Sequence, residues 1–175
     1  MLKVTAGEYK GRQLETADDL SVRPTKNRTR MAMLNSVESR LHWQNMKVAD
    51  LCCGSGALGI EALSRGADHC MFVDINTKYT LTNLKNLNAE NSSYTIQQQD
   101  AATYSSGPFD VVFADPPYGE NLLEKILENH KYLGEKGTLW ALEEASSHNL
   151  NVPEGFTLHK YKTFGKSAFW LLEQQ

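Results

Sequence analysis

The residues with the most chemical promise form one short run, Ala114-Asp115-Pro116-Pro117-Tyr118, directly after the apolar stretch Phe109-Asp110-Val111-Val112-Phe113. Asp115 and Pro116 each precede a proline, so steric clash drives both toward extended backbone. Each proline fixes its own φ and offers no N–H. The run therefore presents a carboxylate, carbonyl oxygens and an aromatic face from a stiff turn. These are acceptors and a flat surface, the complement of a planar exocyclic amine on a nucleobase. Asp115 and the Pro116 carbonyl would accept its hydrogens while Tyr118 stacks on the ring. Acceptors so placed favour a pyramidal nitrogen whose lone pair attacks an electrophile, and Asp115 offsets the positive charge that develops on it. The plain alternative is a strand-to-helix turn in which Asp115 caps a helix and Tyr118 covers the core.

A second constellation is Gly54-Ser55-Gly56-Ala57-Leu58-Gly59, which matches G-x-G-x-x-G after a strand-like run and before a helix-like one. The acidic Asp74 follows about 20 residues on, as in a dinucleotide site. Charge argues otherwise. Asp50, Asp74, Asp100 and Asp115 each fall at the end of a successive strand-like run, so all four should ring one crevice beyond the carboxyl ends of the strands. A pyrophosphate there would meet repulsion of about a kcal/mol or more per close contact. S-adenosylmethionine carries a sulfonium and an ammonium against one carboxylate, which suits an acidic crevice. On this reading Gly54 and Gly56 admit the amino-acid portion, Asp50 favours its ammonium, Asp74 accepts from the ribose hydroxyls and Asp100 from the adenine amine. Helix capping by Asp100 and simple solvation of Asp74 remain the structural alternatives.

These groups need elements to hold them. Phe109–Phe113 reads as a buried strand, as do Val48–Cys52, Cys70–Ile75, Tyr94–Gln98 and Gly137–Glu143. Between them lie helices at Ala57–Arg65, Lys78–Asn91 (with Leu81, Leu84 and Leu87) and near Leu122–Leu133. Alternation of this kind predicts an α/β fold, a mostly parallel sheet with helices on both faces. Phe156–Thr163 and Ala168–Leu172 add an antiparallel C-terminal hairpin through Phe164-Gly165-Lys166. Upstream, Leu2–Thr5 and Arg12–Glu15 predict a small hairpin. Val22-Arg23-Pro24-Thr25 reads as an extended linker, and Asn27 to about His42 as an amphipathic helix with Met31, Leu34, Val37 and Leu41 inward.

A chain of 175 residues suits one domain that needs no disulfide or metal staple. Three cysteines, two of them adjacent, read as buried thiols of a cytosolic protein, and they form no zinc-like spacing with the histidines, so no metal is expected. A nucleophilic Cys52 or Cys53 stays open. No apolar stretch would span a bilayer and the first residues lack a signal-peptide core, which makes the cytoplasm the expected compartment. The net charge of −3 hides an asymmetry, because residues 1–40 carry eight basic groups against five acids. A basic start on an acidic body is compatible with a polyanion docking at one end. Arginines in the first turn of the 27–42 helix oppose its dipole, a local reason for them to serve an anion.

Asp50-Leu51-Cys52-Cys53-Gly54-Ser55-Gly56-Ala57-Leu58-Gly59 with Asp115-Pro116-Pro117-Tyr118 resembles the amino-methyltransferases that use S-adenosylmethionine. More narrowly, Arg23-Pro24-Thr25-Lys26-Asn27-Arg28-Thr29-Arg30, Leu34-Asn35 and Glu61-Ala62-Leu63-Ser64-Arg65-Gly66-Ala67 resemble the bacterial 16S ribosomal RNA guanine-N2 methyltransferase family commonly called RsmD. The resemblance implies a seven-stranded Rossmann-like methyltransferase sheet over residues 23–175, with an N-terminal hairpin extension over residues 1–22. It implies cofactor contacts at Asp50, Gly54, Gly56, Asp74 and Asp100, catalysis at Asp115, Pro116, Pro117 and Tyr118, and RNA near Arg23, Thr25, Arg28 and Arg30. Members usually carry Glu where this chain has Met31. The expected reaction is direct methyl transfer to guanine N2, on a base turned out of its stack. The expected protein is a monomer acting on ribosomal RNA, free or within the small subunit.

Three other functions share some of these residues. A DNA adenine-N6 methyltransferase would use the same acceptors, although no stretch remains for a separate sequence-reading domain. A nicotinamide-dependent oxidoreductase has the glycine motif in its favour and Asp50 against it. A non-catalytic RNA-binding module would have no evident use for Asp115 beside an acidic crevice.

Overall fold

Val48, Ala49, Leu51, Phe72, Val73 and Val111 to Ala114 are fully enclosed, as strands covered on both faces must be. They belong to a computed structural model that describes residues 1–17 and 24–175, apart from the side chains of Pro24 and Thr25. The strands are β1 (Leu2–Lys3), β2 (Gln13–Leu14), β3 (Lys47–Leu51), β4 (His69–Asp74), β5 (Tyr94–Gln98), β6 (Val111–Ala114), β7 (Leu139–Ala145), β8 (Phe156–Phe164) and β9 (Ser167–Gln174). The helices are α1 (Pro24–Glu38), α2 (Ala57–Ser64), α3 (Lys78–Leu87), α4 (Leu122–Glu128) and α5 (His130–Leu133). Strands β3 to β9 form one seven-stranded sheet in the order β5-β4-β3-β6-β7-β9-β8. Its first five members are parallel, and β9 runs antiparallel to both β7 and β8.

Alternate residues of each strand face opposite layers. Val111 and Phe113 join Met33, Leu34, Val37, Ile60 and Leu84 in the layer of α1, α2 and α3. Val112 and Ala114 join Leu123, Ile126, Leu127 and Leu133 in the layer of α4 and α5. The chain winds outward from β3 to β5, then returns to lay β6 along the other side of β3. That reversal opens a crevice beyond the carboxyl ends of β3 and β6, where Asp50 and Asp115 were expected to meet.

Helix α2 packs tightly on β4 because Gly59 has no side chain. A Cβ there would lie 2.4 Å from Phe72 Cε1 and 2.6 Å from Cys70 Sγ. The β1–β2 hairpin is bound to the same helix. Thr5 donates its N–H and hydroxyl to Glu61, and the Glu8 N–H donates to the Ser64 carbonyl. Val4 and Leu14 are buried in the shared core.

Several boundaries differ from those predicted. Helix α1 begins at Pro24 and ends at Glu38, so Pro24 and Thr25 are helical instead of extended linker. Proline suits the first helical position, where its φ is already correct and its missing N–H would have had no partner. Val22 and Arg23 lie outside the described residues. Met33 is enclosed in this helix while Met31 is only half-buried. Helix α3 stops at Leu87 because Asn88 turns left-handed (φ 54), a backbone state that closes helices. Leu81 points outward. The helix predicted over Leu122–Leu133 is two, divided at Asn129. Among the described residues, no helix is long and apolar enough to cross a membrane.

Candidate active site

Five acids from five parallel strands face the crevice: Asp50 from β3, Asp74 from β4, Asp100 beyond β5, Asp115 beyond β6 and, unforeseen, Glu143 from β7. Two adjoining cavities of about 350 and 790 Å³ carry them, sharing Lys26, Cys52, Gly54, Asp74 and Asp115 in their walls. Both volumes lie in the usual range of small-ligand sites.

Asp50 is 2% exposed and its Oδ2 accepts the Gly59 N–H at 2.9 Å. Burial holds its pKa well above the usual carboxylate range, the Gly59 hydrogen bond opposes this, and the charges of Asp115 and Asp74 add to it. The Gly54 N–H donates to Asp74 Oδ2 at 2.8 Å, and the Asn76 N–H to Asp74 Oδ1 at 2.9 Å. Asp74 thereby ties the glycine loop to the end of β4, with lone pairs left over for another donor. Asp100 does cap the following turn, through the Ala102 N–H at 2.9 Å, yet it also lines the larger cavity. The capping role and a place in the crevice are both present. Gly56 is left-handed (φ 76) at the mouth of α2, and Cys52 takes the same rare conformation (φ 61).

The Asp115–Tyr118 turn sits at the carboxyl end of β6. The Asp115 side chain is 29% exposed through an edge that faces Lys26, whose ammonium is 3.8 Å from Oδ2. Its other oxygen, Oδ1, is shut off from solvent and has no hydrogen-bond partner among the described residues. An enclosed bare acceptor is costly unless a donor arrives. Burial raises the Asp115 pKa, the Lys26 ammonium opposes the rise, and Glu144 adds to it. Tyr118 donates its hydroxyl proton to Glu143 Oε1 at 2.7 Å. Having one proton to give, it accepts from Ser167 Oγ, also at 2.7 Å. Strands β7 and β9 thus fix the angle of the Tyr118 ring, and Lys26 Nζ rests 5.4 Å from its centroid. Glu143, 2% exposed, is pushed up to about 8 by burial first and by the charge of Asp115 next, against the Tyr118 hydrogen bond, Lys26 and Ser167.

Burial, reinforced by the aspartates, raises the thiols of Cys52, Cys53 and Cys70. A thiol pushed up by burial is a weaker nucleophile, which counts against the nucleophilic reading of Cys52 and Cys53.

The residues expected near RNA divide. Arg28 is exposed and lines a shallow cleft with Met31, Asn35, Lys162 and Phe164. Arg23 and the Thr25 side chain lie outside what is described. Arg30 turns the other way: it is 7% exposed, donates to the Lys3 carbonyl at 3.1 Å and lines the smaller cavity beside Gly54. The sequence reading missed Glu143 and Lys26 as parts of the site. The signal for Glu143 was present, since Leu139-Trp140-Ala141-Leu142 is an apolar run ending in acid, the same pattern that located the four aspartates.

Known proteins resemble this chain in sequence and fold. A family model described as "Conserved hypothetical protein 95" matches residues 2–173. The chain is 28% identical to "Ribosomal RNA small subunit methyltransferase D" of Escherichia coli strain K12, over 99% of this chain and 90% of that protein. It is 31% identical to the protein of the same name from Buchnera aphidicola subsp. Acyrthosiphon pisum, over 91% and 86%. The solved structure of yhhF from Escherichia coli superposes with a TM-score of 0.85 at 27% identity, over 99% of this chain and 98% of that one.

Proposed function

The chain belongs to the family described as conserved hypothetical protein 95, and from that premise we propose that its crevice methylates the exocyclic N2 amine of a guanine in small-subunit ribosomal RNA. It is an S-adenosylmethionine-dependent ribosomal RNA methyltransferase. The observation that carries the choice of an amine is the bare, enclosed Oδ1 of Asp115 beside the fixed ring of Tyr118.

The residues of the crevice fit the methyl donor. An acidic lining suits its two cationic groups and repels a pyrophosphate. Gly54 and Gly56 keep the loop free of side chains, Asp50 draws in the ammonium, Asp74 accepts from the ribose hydroxyls and Asp100 from the adenine amine. When bound, S-adenosylmethionine supplies an electrophilic methyl group on a positively charged sulfur.

The chain's own residues then act on the base and its amine. Tyr118 offers its face to the base, held at its angle by Glu143 and Ser167. Asp115 Oδ1 and the Pro116 carbonyl accept the two amine hydrogens and so leave the nitrogen lone pair directed elsewhere. Ionised Asp115 offsets the positive charge that grows on that nitrogen as it attacks. The proton then lost from the methylated amine passes to Asp115 or to water. The stiffness of the two prolines keeps these acceptors from reorganising during the step. No covalent enzyme intermediate is required. Outside the crevice, Arg28, beside the cleft it shares with Lys162 and Phe164, supports docking of the RNA backbone, with Arg23 and Thr25 at the start of the same segment. The reaction belongs in the cytoplasm, where this RNA is made.

The test offers labelled S-adenosylmethionine with naked ribosomal RNA, small-subunit particles and duplex DNA, and identifies the product nucleoside by mass spectrometry. N2-methylguanosine from either RNA sample is the expected outcome, and the pair of samples decides whether the substrate is free or assembled. N6-methyladenine in DNA, or no labelled nucleoside, would overturn the proposal.

A further inference from the structure

The methyl donor has two cationic groups and one carboxylate, and an acidic crevice answers only the cations. A carboxylate taken out of water needs a cation or N–H donors of its own. Among the described residues, the cationic side chains in the cavity walls are Lys26, Arg30 and Lys125. Lys26 is held between Asp115 and the Tyr118 ring. Lys125 lies at the far end, among the residues that line the larger cavity with Asp100, Pro117 and Glu120. Of the two that line the cavity with Asp50, Cys53, Gly54, Ser55 and Leu58, where the amino-acid end of the donor is assigned, Arg30 is the one not paired with Asp115.

The state of Arg30 marks it as a group awaiting an anion. Its Nη2 donates to the Lys3 carbonyl at 3.1 Å, whereas Nε and Nη1 are enclosed and find no hydrogen-bond partner among the described residues. Among the described residues, the carboxylate it pairs with is Glu61, with Oε1 3.9 Å from Nη2. Glu61 is already engaged: its two oxygens accept the Thr5 N–H and share the one Thr5 hydroxyl proton at 2.8 to 2.9 Å, and Arg65 Nε stands 3.6 Å from Oε2. It holds Arg30 loosely and leaves donors over. An enclosed guanidinium with spare donors is the natural partner of a carboxylate.

We propose that Arg30 binds the carboxylate of the methyl donor's amino-acid end and thereby fixes which end of the donor enters the glycine-loop side of the crevice. The inference rests on the methyl-donor reading given above. It moves Arg30 from the RNA to the cofactor, and it gives the N-terminal hairpin a part in the site, since the Lys3 carbonyl positions the guanidinium.

Calorimetry tests it with three ligands: S-adenosylhomocysteine, its decarboxylated analogue, which keeps the ammonium, and 5′-methylthioadenosine, which lacks the whole amino-acid end. The wild-type chain should prefer S-adenosylhomocysteine over the decarboxylated analogue by about ten- to a hundredfold, the range for a hydrogen-bonded charge. In Arg30→Met that preference should collapse to within about threefold, with 5′-methylthioadenosine binding unchanged, and Arg30→Lys should recover part of it. A preference that survives in Arg30→Met, or an equal loss for all three ligands, overturns the proposal. Should the variants fail to fold, a crystal structure of the wild-type chain with S-adenosylhomocysteine decides the matter. The carboxylate lies within about 3.2 Å of an Arg30 nitrogen, or it lies elsewhere and the assignment falls. If the wild-type chain binds none of the three, the methyl-donor reading falls first, and the role of Arg30 with it.

Discussion

The ammonium of Lys26 lies 3.8 Å from Asp115 Oδ2 and 5.4 Å from the centroid of the Tyr118 ring. A cationic nitrogen on that carboxylate and ring stands close to where the target amine must come. Its charge also lowers the proton affinity of Asp115 and of Glu143. Burial raises Asp115, and the proposed mechanism uses its ionised form, so rate should be lost as pH falls through its pKa. Lys26→Met removes the opposing charge and should move the acid limb of kcat/KM to higher pH, since that profile reports groups of the free enzyme. An unmoved limb would detach Lys26 from the titration of this site.

On the proposed mechanism Asp115 acts on the developing charge, not on the donor's affinity. Asp115→Asn keeps the size but replaces a charged acceptor with a neutral amide, and should lower kcat by about a hundredfold or more. Binding of S-adenosylhomocysteine should stay within a few-fold of wild type. Single-turnover methylation beside calorimetry separates the two effects, and a rate within a few-fold of wild type in Asp115→Ala would remove the residue from the mechanism.

Tyr118 contributes a face and a fixed angle, and these can be parted. Tyr118→Phe keeps the face and loses the hydrogen bonds to Glu143 and Ser167. Tyr118→Ala also loses stacking worth about 1–3 kcal/mol. KM for RNA should rise less than about tenfold in the first and about ten- to a hundredfold in the second. Equal effects would mean that the hydroxyl, not the ring, is what matters.

Glu143 carries a stability signature. Its folded pKa of about 8 is above the ordinary value of 4.5, so the native state binds this proton more tightly than the unfolded chain does. Its favourable contribution is present below the unfolded value and is lost as pH rises toward the folded one. Urea unfolding of wild type and Glu143→Gln at pH 6 and pH 9 should show the variant gaining on wild type at the higher pH, by a few kcal/mol at most. A difference that does not change with pH would contradict this titration.

Much of the site was readable because it depends on local rules. A strand end followed by acid recurs at Asp50, Asp74, Asp100 and Asp115, and parallel strands bring their carboxyl ends to one rim. Asp-Pro-Pro-Tyr stiffens itself through its own prolines. The close approach of α2 to β4 at Gly59 is the third glycine of the motif doing what its place predicts.

By itself, then, the sequence determined the α/β alternation, the acidic rim and the proline-stiffened Asp115–Tyr118 turn, because each follows from neighbours along the chain. Only the tertiary structure decided that Lys26 from α1 stands over Tyr118, that β7 and β9 hold the Tyr118 hydroxyl, and that Arg30 faces inward while Arg28 faces out. Partners more than 20 residues apart meet only once the sheet order and the path of α1 are fixed, and spacing along a chain does not contain that information. The start of α1 has the same cause: before a proline the backbone disfavours helix, at the first helical position proline fits, and packing of Met33, Leu34 and Val37 against the sheet selects the second.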